Sequence, residues 1–126
     1  MKLSLFNKRS DKGKAAEDIA CGYLEKNGLR LIDKNFHSRY GEIDLIMQHQ
    51  EVLVFIEVRY RKNQDYGGAT ASITPAKQKK IHKTALYFMQ LKGREFNARI
   101  DVIAMSDNNS PFDDESLNIE WIQNAF

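Results

Sequence analysis

The 126-residue chain contains a single cysteine, Cys21, and two prolines, and it has no long apolar run. One cysteine excludes an internal disulfide and a cysteine-rich zinc site, and it is typical of a reducing compartment. No stretch supplies the roughly 20 apolar residues that a membrane-spanning helix needs. The amino-terminal stretch MKLSLFNKRSDKGK has too few apolar residues for the core of a signal peptide. We therefore expect a cytoplasmic protein without a membrane partner.

Repeats, low-complexity tracts and interdomain linkers are also missing from the sequence. With 42% hydrophobic residues, the chain has enough apolar material for a single core. We expect one domain over residues 1–126, with residues 1–11 flexible. His37, His49 and His82 are isolated from one another, and their spacing does not predict a zinc site.

The net charge of +2 conceals a strong segregation of charge along the chain. Residues 41–58 contain four acids and no basic side chain, whereas residues 59–94 contain nine basic side chains and one acid. Acids followed by bases are typical of an enzyme that holds a cation beside a polyanion. A basic helix that only keeps the protein soluble is the alternative.

The most informative stretch is residues 39–61, RYGEIDLIMQHQEVLVFIEVRYR, which predicts two strands joined by the polar turn Gln48-His49-Gln50. Side chains alternate between the faces of a strand. The first strand then has one face with Glu42, Asp44 and Ile46, and another with Ile43, Leu45 and Met47. One face of the second strand carries Leu53, Phe55, Glu57, Arg59 and Arg61. If the register places Asp44 and Glu57 on the same side, two carboxylates and a guanidinium meet.

Carboxylates within these apolar strands need partners, because desolvating one alone costs several kcal/mol. A metal ion would be one such partner. An Asp44–Arg59 or Glu57–Arg61 ion pair on a solvated face is the alternative, and it stays open. Gly41, just before the first strand, allows close approach of a substrate or metal, which favours a functional site.

Helical spacing and cap residues predict two helices. The first covers residues 12–27 and ends at Gly28. Its core face contains Ala16, Ile19, Ala20, Tyr23 and Leu24, with Glu17 at the edge of that face. The second begins with Thr74 as N-cap and Pro75 as first residue, and it ends at Gly93. Its core stripe contains Ile81, Ala85, Phe88 and either Met89 or Leu91.

Further strands are predicted at residues 29–36, 99–105 and 117–122. The apolar pattern of residues 99–105 is typical of a central parallel strand that follows a helical crossover. The glycine-containing loop after Arg61 is interpreted as a mobile flap, and residues 107–115 as an acidic loop. The order α-β-β-β-α-β-β predicts a mixed sheet with helices on its faces.

Two motifs resemble the signature of the YraN-type family of uncharacterised bacterial proteins. They are Tyr40-Gly41-Glu42-Ile43-Asp44-Leu45-Ile46 and Val54-Phe55-Ile56-Glu57-Val58-Arg59-Tyr60-Arg61. Thr74-Pro75-Ala76-Lys77, Arg99-Ile100-Asp101-Val102 and the Trp121…Ala125-Phe126 end are similar too, so the resemblance covers nearly the whole chain. That family is in turn similar to the PD-(D/E)XK nuclease superfamily, particularly archaeal Holliday-junction resolvases. The resemblance implies an α/β fold with a restriction-endonuclease-like αβββαβ core and an extra C-terminal strand.

The resemblance also implies an activity, which is metal-dependent hydrolysis of phosphodiester bonds in branched or structured DNA. Asp44, Glu57 and the backbone carbonyl of Val58 would bind Mg²⁺ or Mn²⁺, and Glu17 matches a helical acid of such sites. Arg59 stands where the superfamily has a lysine; arginine can stabilise developing charge but cannot serve as a base. The residues expected to hold the DNA backbone are Arg39, Arg61, Lys77, Lys80 and Lys83.

A branched substrate would suit a homodimer with two-fold symmetry, and no small-molecule cofactor is expected. Two other functions remain open. One is a nucleic-acid-binding module that has lost its chemistry and keeps the acids as an ion-pair network. The other is a protein-interaction domain whose basic helix binds an acidic partner.

Overall fold

The computed structural model describes residues 8–61, 73–107 and 117–126, with side chains from residue 13 onward. The helices and strands are α1 (Lys8–Lys26), β1 (Leu29–Ser38), β2 (Gly41–His49), β3 (Val52–Arg61), α2 (Pro75–Lys92), β4 (Ala98–Asp107) and β5 (Leu117–Ile122). Helix α1 begins at Lys8, one turn before the expected start. The interpretations of a flap and of an acidic loop fall largely on residues 62–72 and 108–116, outside the described residues.

The described strands form one mixed sheet in the order β1-β2-β3-β4-β5. Neighbouring strands are antiparallel except β3 and β4, which are parallel and have α2 between them in the chain. The prediction of a parallel strand after a helical crossover is confirmed. The fold class is confirmed as well, because helix, three strands, helix and strand form the restriction-endonuclease-like core, with β5 as the extra C-terminal strand.

Helix α1 covers one face of the sheet. Its small residues Ala16 and Ala20, with Leu24, are buried against a cluster from β2, β3 and β4. The expectation for Ile19 is wrong, because its side chain is 42% exposed. The buried residues 16, 20 and 24 recur every four positions, which turns residue 19 toward solvent and brings Cys21 into the core.

Helix α2 covers the opposite face, and its predicted ends are confirmed. The Thr74 side chain accepts a hydrogen bond from the Lys77 N–H at 3.2 Å. Gly93 ends the helix with φ 73°, a left-handed conformation that suits glycine. Of the two candidates for the last core position, Leu91 is 59% exposed, whereas Met89 packs against the core. Among the described residues, no helix has both the length and the apolar character to cross a bilayer.

Strand β2 departs from the predicted alternation at Asp44. Leu45 faces α1, but Ile43 packs beside Ile46 in the cluster beneath α2. The expectation that Ile43 shares a face with Leu45 is therefore wrong. The register of β1 and β2 places Asn35 opposite Asp44, and Asn35 has φ 52°. Such a local irregularity changes the face to which the following side chains point.

The C-terminal residues fold back onto the start of β4. Asp101 is fully buried, and its carboxylate accepts hydrogen bonds from Arg99 Nε at 3.0 Å and from Trp121 Nε1 at 2.9 Å. It also accepts a bond from the Asn124 N–H at 2.9 Å. The Ala125 N–H donates to the Ile100 carbonyl at 2.7 Å. These bonds satisfy a buried charge and fix the chain end on the sheet.

Candidate active site

The candidate site lies where β2 and β3 separate. Their ladder ends at the pair Leu45 and Ile56, although β3 continues to Arg61 along β4. Past this pair, the backbone N–H of Val58 has no strand partner on the β2 side. The Oδ2 atom of Asp44 accepts a hydrogen bond from that N–H at 2.8 Å. The carboxylate thus takes the place that a strand carbonyl would have, and it is held at the fork between the strands.

Glu57 lies beside Asp44 at this fork. Only 6% of the surface of Glu57 is exposed to solvent. The pKa of Glu57 is raised to about 8, mainly by burial and secondly by the neighbouring Asp44 carboxylate. The structure therefore brings the two acids together, as the resemblance implies for a metal site. At neutral pH the pair retains a proton, because two adjacent carboxylates in a poorly solvated place resist a double negative charge.

Two cations reach Glu57 from different elements. Its Oε2 atom lies 3.5 Å from an Arg59 terminal nitrogen and 3.7 Å from Lys77 Nζ. The alternative of an Asp44–Arg59 or Glu57–Arg61 pair is not what the structure shows, since Arg59 pairs with Glu57. Both cations lower the pKa of Glu57, but burial and the Asp44 carboxylate raise it by more.

Lys77 is the site residue whose position sequence reasoning missed. We expected it to contact the DNA backbone, yet its ammonium points to the acidic pair. It lies in the first turn of α2, and the Thr74 cap fixes its backbone. The Thr-Pro cap signal could have located this turn, but not the strand it approaches.

Arg59 has an atom that is unusual among the described side chains. Its Nε is buried and is the single buried side-chain nitrogen or oxygen found there without a hydrogen-bond partner. An unsatisfied buried donor is costly.

Glu17 extends the acidic group toward α1. Burial and then the charge of Asp44 raise the pKa of Glu17, while a hydrogen bond with Asn35 opposes the shift. A cavity of about 360 Å³ is lined by Glu17, Asp44, Val58 and Arg59. Gly13 and Ala16 of α1 also line it, and their small size leaves room above the acids.

The donor chemistry of this cavity fits a hard divalent cation. Mg²⁺ is usually held by one or two carboxylates, with water and substrate oxygens completing the shell. Asp44, which lines the cavity, and Glu57, which lies beside Asp44 without lining the cavity, provide such a pair. Within the described residues, no three aspartate, glutamate, histidine or cysteine side chains already form a metal-binding group. The protein therefore supplies part of a coordination shell, and bound cation would replace the proton that Glu57 retains.

The other predicted DNA contacts lie away from the acidic pair. Lys80 packs near Gly41, since a Cβ added there would be 3.5 Å from Lys80 Cβ. Lys83 lines a groove beside Tyr40, and the Arg39 guanidinium lies 5.0 Å from the centre of the Tyr40 ring. Arg61 is half-buried at the end of β3. Within the described part of the chain, none of these four forms an ion pair with Asp44 or Glu57.

The αβββαβ core and the acidic pair at its strand fork define a restriction-endonuclease-like α/β protein. The chain belongs to the uncharacterised protein family UPF0102, whose family model matches residues 16–105. This match confirms the resemblance to the YraN-type family. The matched range includes the acidic pair and Lys77.

Relatives match over almost the full chain. The UPF0102 protein of Psychromonas ingrahamii is 49% identical over 127 residues, which cover 100% of this chain and 98% of the relative. That of Nitrosococcus oceani is 46% identical over 118 residues, which cover 92% of this chain and 91% of the relative. That of Legionella pneumophila strain Corby is 47% identical over 119 residues, which cover 92% of this chain and 94% of the relative. These names specify no activity.

Proposed function

We propose that this protein is a divalent-metal-dependent endonuclease that hydrolyses phosphodiester bonds in branched or structured DNA. The observation that carries the proposal is the pair of Asp44 and buried Glu57 at the β2–β3 fork, where Arg59 and Lys77 approach Glu57 within 3.7 Å. Two acids next to two cations can hold a metal ion and a phosphate side by side.

Asp44 and Glu57 would hold Mg²⁺ or Mn²⁺. The Val58 carbonyl would be a third oxygen for the ion, because the N–H of the same residue already points to Asp44. The ion supplies Lewis acidity to the phosphate and to the attacking water. Arg59 and Lys77 would stabilise charge that develops on the phosphate oxygens.

The reaction joins a water oxygen to phosphorus and breaks the bond from phosphorus to the leaving sugar oxygen. The attacking water releases a proton to solvent and the leaving oxygen takes one from solvent, so the products are a phosphate monoester and a free hydroxyl. Arg39, Arg61, Lys80 and Lys83 would bind backbone phosphates, which position DNA without reading its sequence. A two-fold homodimer is the arrangement that we propose for a branched substrate.

A DNA-binding module without catalysis is the second candidate. It is favoured by the contacts of Glu57, because Arg59 and Lys77 already compensate the remaining negative charge of the acidic pair. In that case the acids would only hold the fork together, and a metal ion would have no role.

Cleavage of a four-way junction and of a linear duplex, in Mg²⁺ and in Mn²⁺, tests the proposal. The proteins are the wild type, Asp44→Asn, Glu57→Gln and the control Glu51→Gln, whose residue is exposed at the β2–β3 turn. We expect the first and last to cut, and the two site variants to lose roughly 100-fold or more in rate with little change in DNA affinity.

Calorimetric titration with Mn²⁺ in the absence of DNA gives an independent result. Wild type and Glu51→Gln should bind the ion, and the two site variants should not. If all four proteins bind DNA equally and none cuts it, the second candidate is correct. If none binds DNA at low salt, both candidates are wrong, and an interaction with an acidic protein becomes the better explanation.

A further inference from the structure

A second concave surface lies beside α2, away from the acidic pair. It is an open groove of about 840 Å³ lined by Tyr40, Lys83, Leu86, Tyr87, Arg94 and Phe96. It shares no lining residue with the cavity at Asp44. The exposed fraction of Leu86 is 63%, which is high for so large an apolar residue. The volume falls within the range of about 300–1,000 Å³ that is usual for ligand sites.

The aromatic rings of this groove are held in place by other rings. The Tyr40 and Tyr87 centroids are 5.9 Å apart with an interplanar angle of 66°. Tyr87 in turn lies 6.2 Å from Phe36, a residue packed against the core. Both tyrosines are partly exposed. Rings that are anchored on one side and accessible on the other can stack on a planar ligand at little entropic cost.

The rim of the groove carries mostly positive charge. The Arg39 guanidinium lies 5.0 Å from the Tyr40 centroid, and that of Arg94 lies 4.2 Å from the Phe96 centroid. Lys83 adds a third cation, whereas Glu95 is the acid among the lining residues. Aromatic faces interleaved with cations are the combination that binds single-stranded nucleic acid, through base stacking and phosphate contacts.

One face of α2 connects this groove with the acidic pair. Lys77, Lys80, Lys83 and Tyr87 follow one another at steps of three or four residues and therefore share that face, and none of them is buried. Lys77 contacts Glu57 at one end. Tyr87 reaches the groove at the other end, about 15 Å away at a rise of about 1.5 Å per residue. A single nucleic-acid strand could follow this face from one site to the other.

We propose that this Tyr40–Tyr87 groove binds unpaired nucleotides of the substrate. The inference rests on the proposed nuclease function and narrows its substrate class to duplex DNA that carries a single-stranded segment close to the cleaved bond. Bases stack on the two tyrosines, and backbone phosphates lie against Lys83 and Arg39. An acidic peptide would use the same cations but would gain nothing from the aromatic faces.

Fluorescence anisotropy in EDTA separates binding from chemistry. The labelled probes are an oligothymidylate of about 20 nucleotides, a blunt duplex, and the same duplex with a single-stranded tail. For the double variant Tyr40→Ser/Tyr87→Ser, we expect binding of the oligothymidylate and the tailed duplex to weaken roughly 30-fold or more, since two stacked bases are lost and stacking contributes about 1–3 kcal/mol per base. The blunt duplex should change little. Tyr40→Phe/Tyr87→Phe keeps both rings and should bind like the wild type.

A reporter variant provides a measurement that does not depend on removing the rings. In Tyr40→Trp, the new indole should be quenched when the oligothymidylate stacks on it. The matched control is Tyr23→Trp, at a residue of α1 that packs on the other face of the sheet. Its fluorescence should not respond. Trp121 is present in both proteins and cancels in the comparison.

Three results would overturn the inference: equal losses for blunt and tailed duplexes in the serine variant, no quenching of the indole in Tyr40→Trp, or competition by polyglutamate as strong as that by oligothymidylate. The third result would assign the groove to an acidic peptide. Because these assays contain no metal, tail-specific binding by a protein that never cuts contradicts only the proposed nuclease. Cleavage that is unchanged in the tyrosine variants contradicts only the proposed role of the groove.

Discussion

Glu57 is the residue with the most direct link between environment and function. Its pKa is raised to about 8 by burial and by Asp44, so the folded metal-free protein keeps a proton that the unfolded chain releases near pH 4.5. Below pH 4.5 both states hold the proton and the stabilisation is complete. As pH rises from about 4.5 to 8, this contribution to the free energy of unfolding is lost.

The first prediction concerns this pH dependence. In EDTA, the free energy of unfolding of the wild type should fall between pH 5 and pH 8 by on the order of 2–3 kcal/mol more than that of Glu57→Gln, which has no proton to lose. Urea unfolding at the two pH values measures it. Glu51→Gln, at an exposed turn, should behave like the wild type. Parallel pH profiles for wild type and Glu57→Gln would show that Glu57 is not protonated.

Lys77 carries the second prediction, which assumes the nuclease function. Its ammonium lies 3.7 Å from Glu57, whereas Lys80, one turn further along α2, packs near Gly41. Lys77→Met should lower kcat roughly 100-fold and leave DNA affinity nearly unchanged. Lys80→Met should weaken DNA binding and leave kcat nearly unchanged. Single-turnover cleavage and anisotropy distinguish the two. If both variants lose DNA affinity and keep the wild-type kcat, Lys77 only contacts the DNA backbone.

At the scale of elements, the start of β2 depends on Gly41. Its φ of 149° is rarely adopted by residues with a side chain, and an added Cβ would be 3.4 Å from Thr84 Oγ1 and 3.5 Å from Lys80 Cβ. Gly41→Ala should therefore lower the free energy of unfolding by about 1–3 kcal/mol.

Gly22 is the matched control for this third prediction. It lies inside α1, and a Cβ added there would have no atom within 4 Å. Gly22→Ala should raise the free energy of unfolding by up to about 1 kcal/mol, because alanine favours a helix. Urea unfolding compares the two. Equal effects of the two substitutions would show that neither the conformation nor the contacts of Gly41 matter.

The elements that the sequence predicts correctly are those with local signals. Thr74 and Gly93 mark the ends of α2 through hydrogen bonds to nearby backbone. The alternation along β3 is kept as far as the fork because one face packs on each helix. The change of face at Asp44 is different, since it depends on Asn35 in another strand adopting a positive φ. A period of two contains no information about that conformation.

The site was only partly predictable for a related reason. Asp44 and Glu57 directly follow the last pair of one hairpin ladder, Leu45 and Ile56, so the register of that hairpin brings them together. Lys77 meets Glu57 because α2 crosses the sheet at a particular position, and no spacing in the chain specifies that position. Likewise, the burial of Asp101 requires donors from Trp121 and Asn124, which come from the far end of the chain.

At the scale of the whole molecule, charge segregation predicts how DNA binding responds to salt. The expected phosphate contacts are Arg39, Arg61, Lys80 and Lys83, and each releases about 0.9 counterion on duplex DNA. A plot of log affinity against log salt concentration should have a slope of about −3 to −4. A slope near zero would contradict a phosphate interface.

A single substitution sharpens this fourth prediction. Lys83→Gln should reduce the steepness of the salt dependence by about 0.9, whereas Lys26→Gln, exposed in the last turn of α1, should leave it unchanged. Anisotropy titrations at several salt concentrations measure both slopes. Equal changes in the two variants would mean that net charge, and not the α2 surface, attracts DNA.

The hydrogen bond from Val58 gives the Asp44 carboxylate a structural role at the strand fork, and in the proposed nuclease the same carboxylate would also bind the metal ion. An alanine at position 44 would remove both at once, and a lost activity could then reflect a widened sheet. Asparagine keeps an oxygen for the Val58 amide and removes only the negative charge. The supporting cations have no such double duty. A descendant of this protein that gave up its chemistry should therefore lose Arg59 or Lys77 long before it lost an acceptor at position 44.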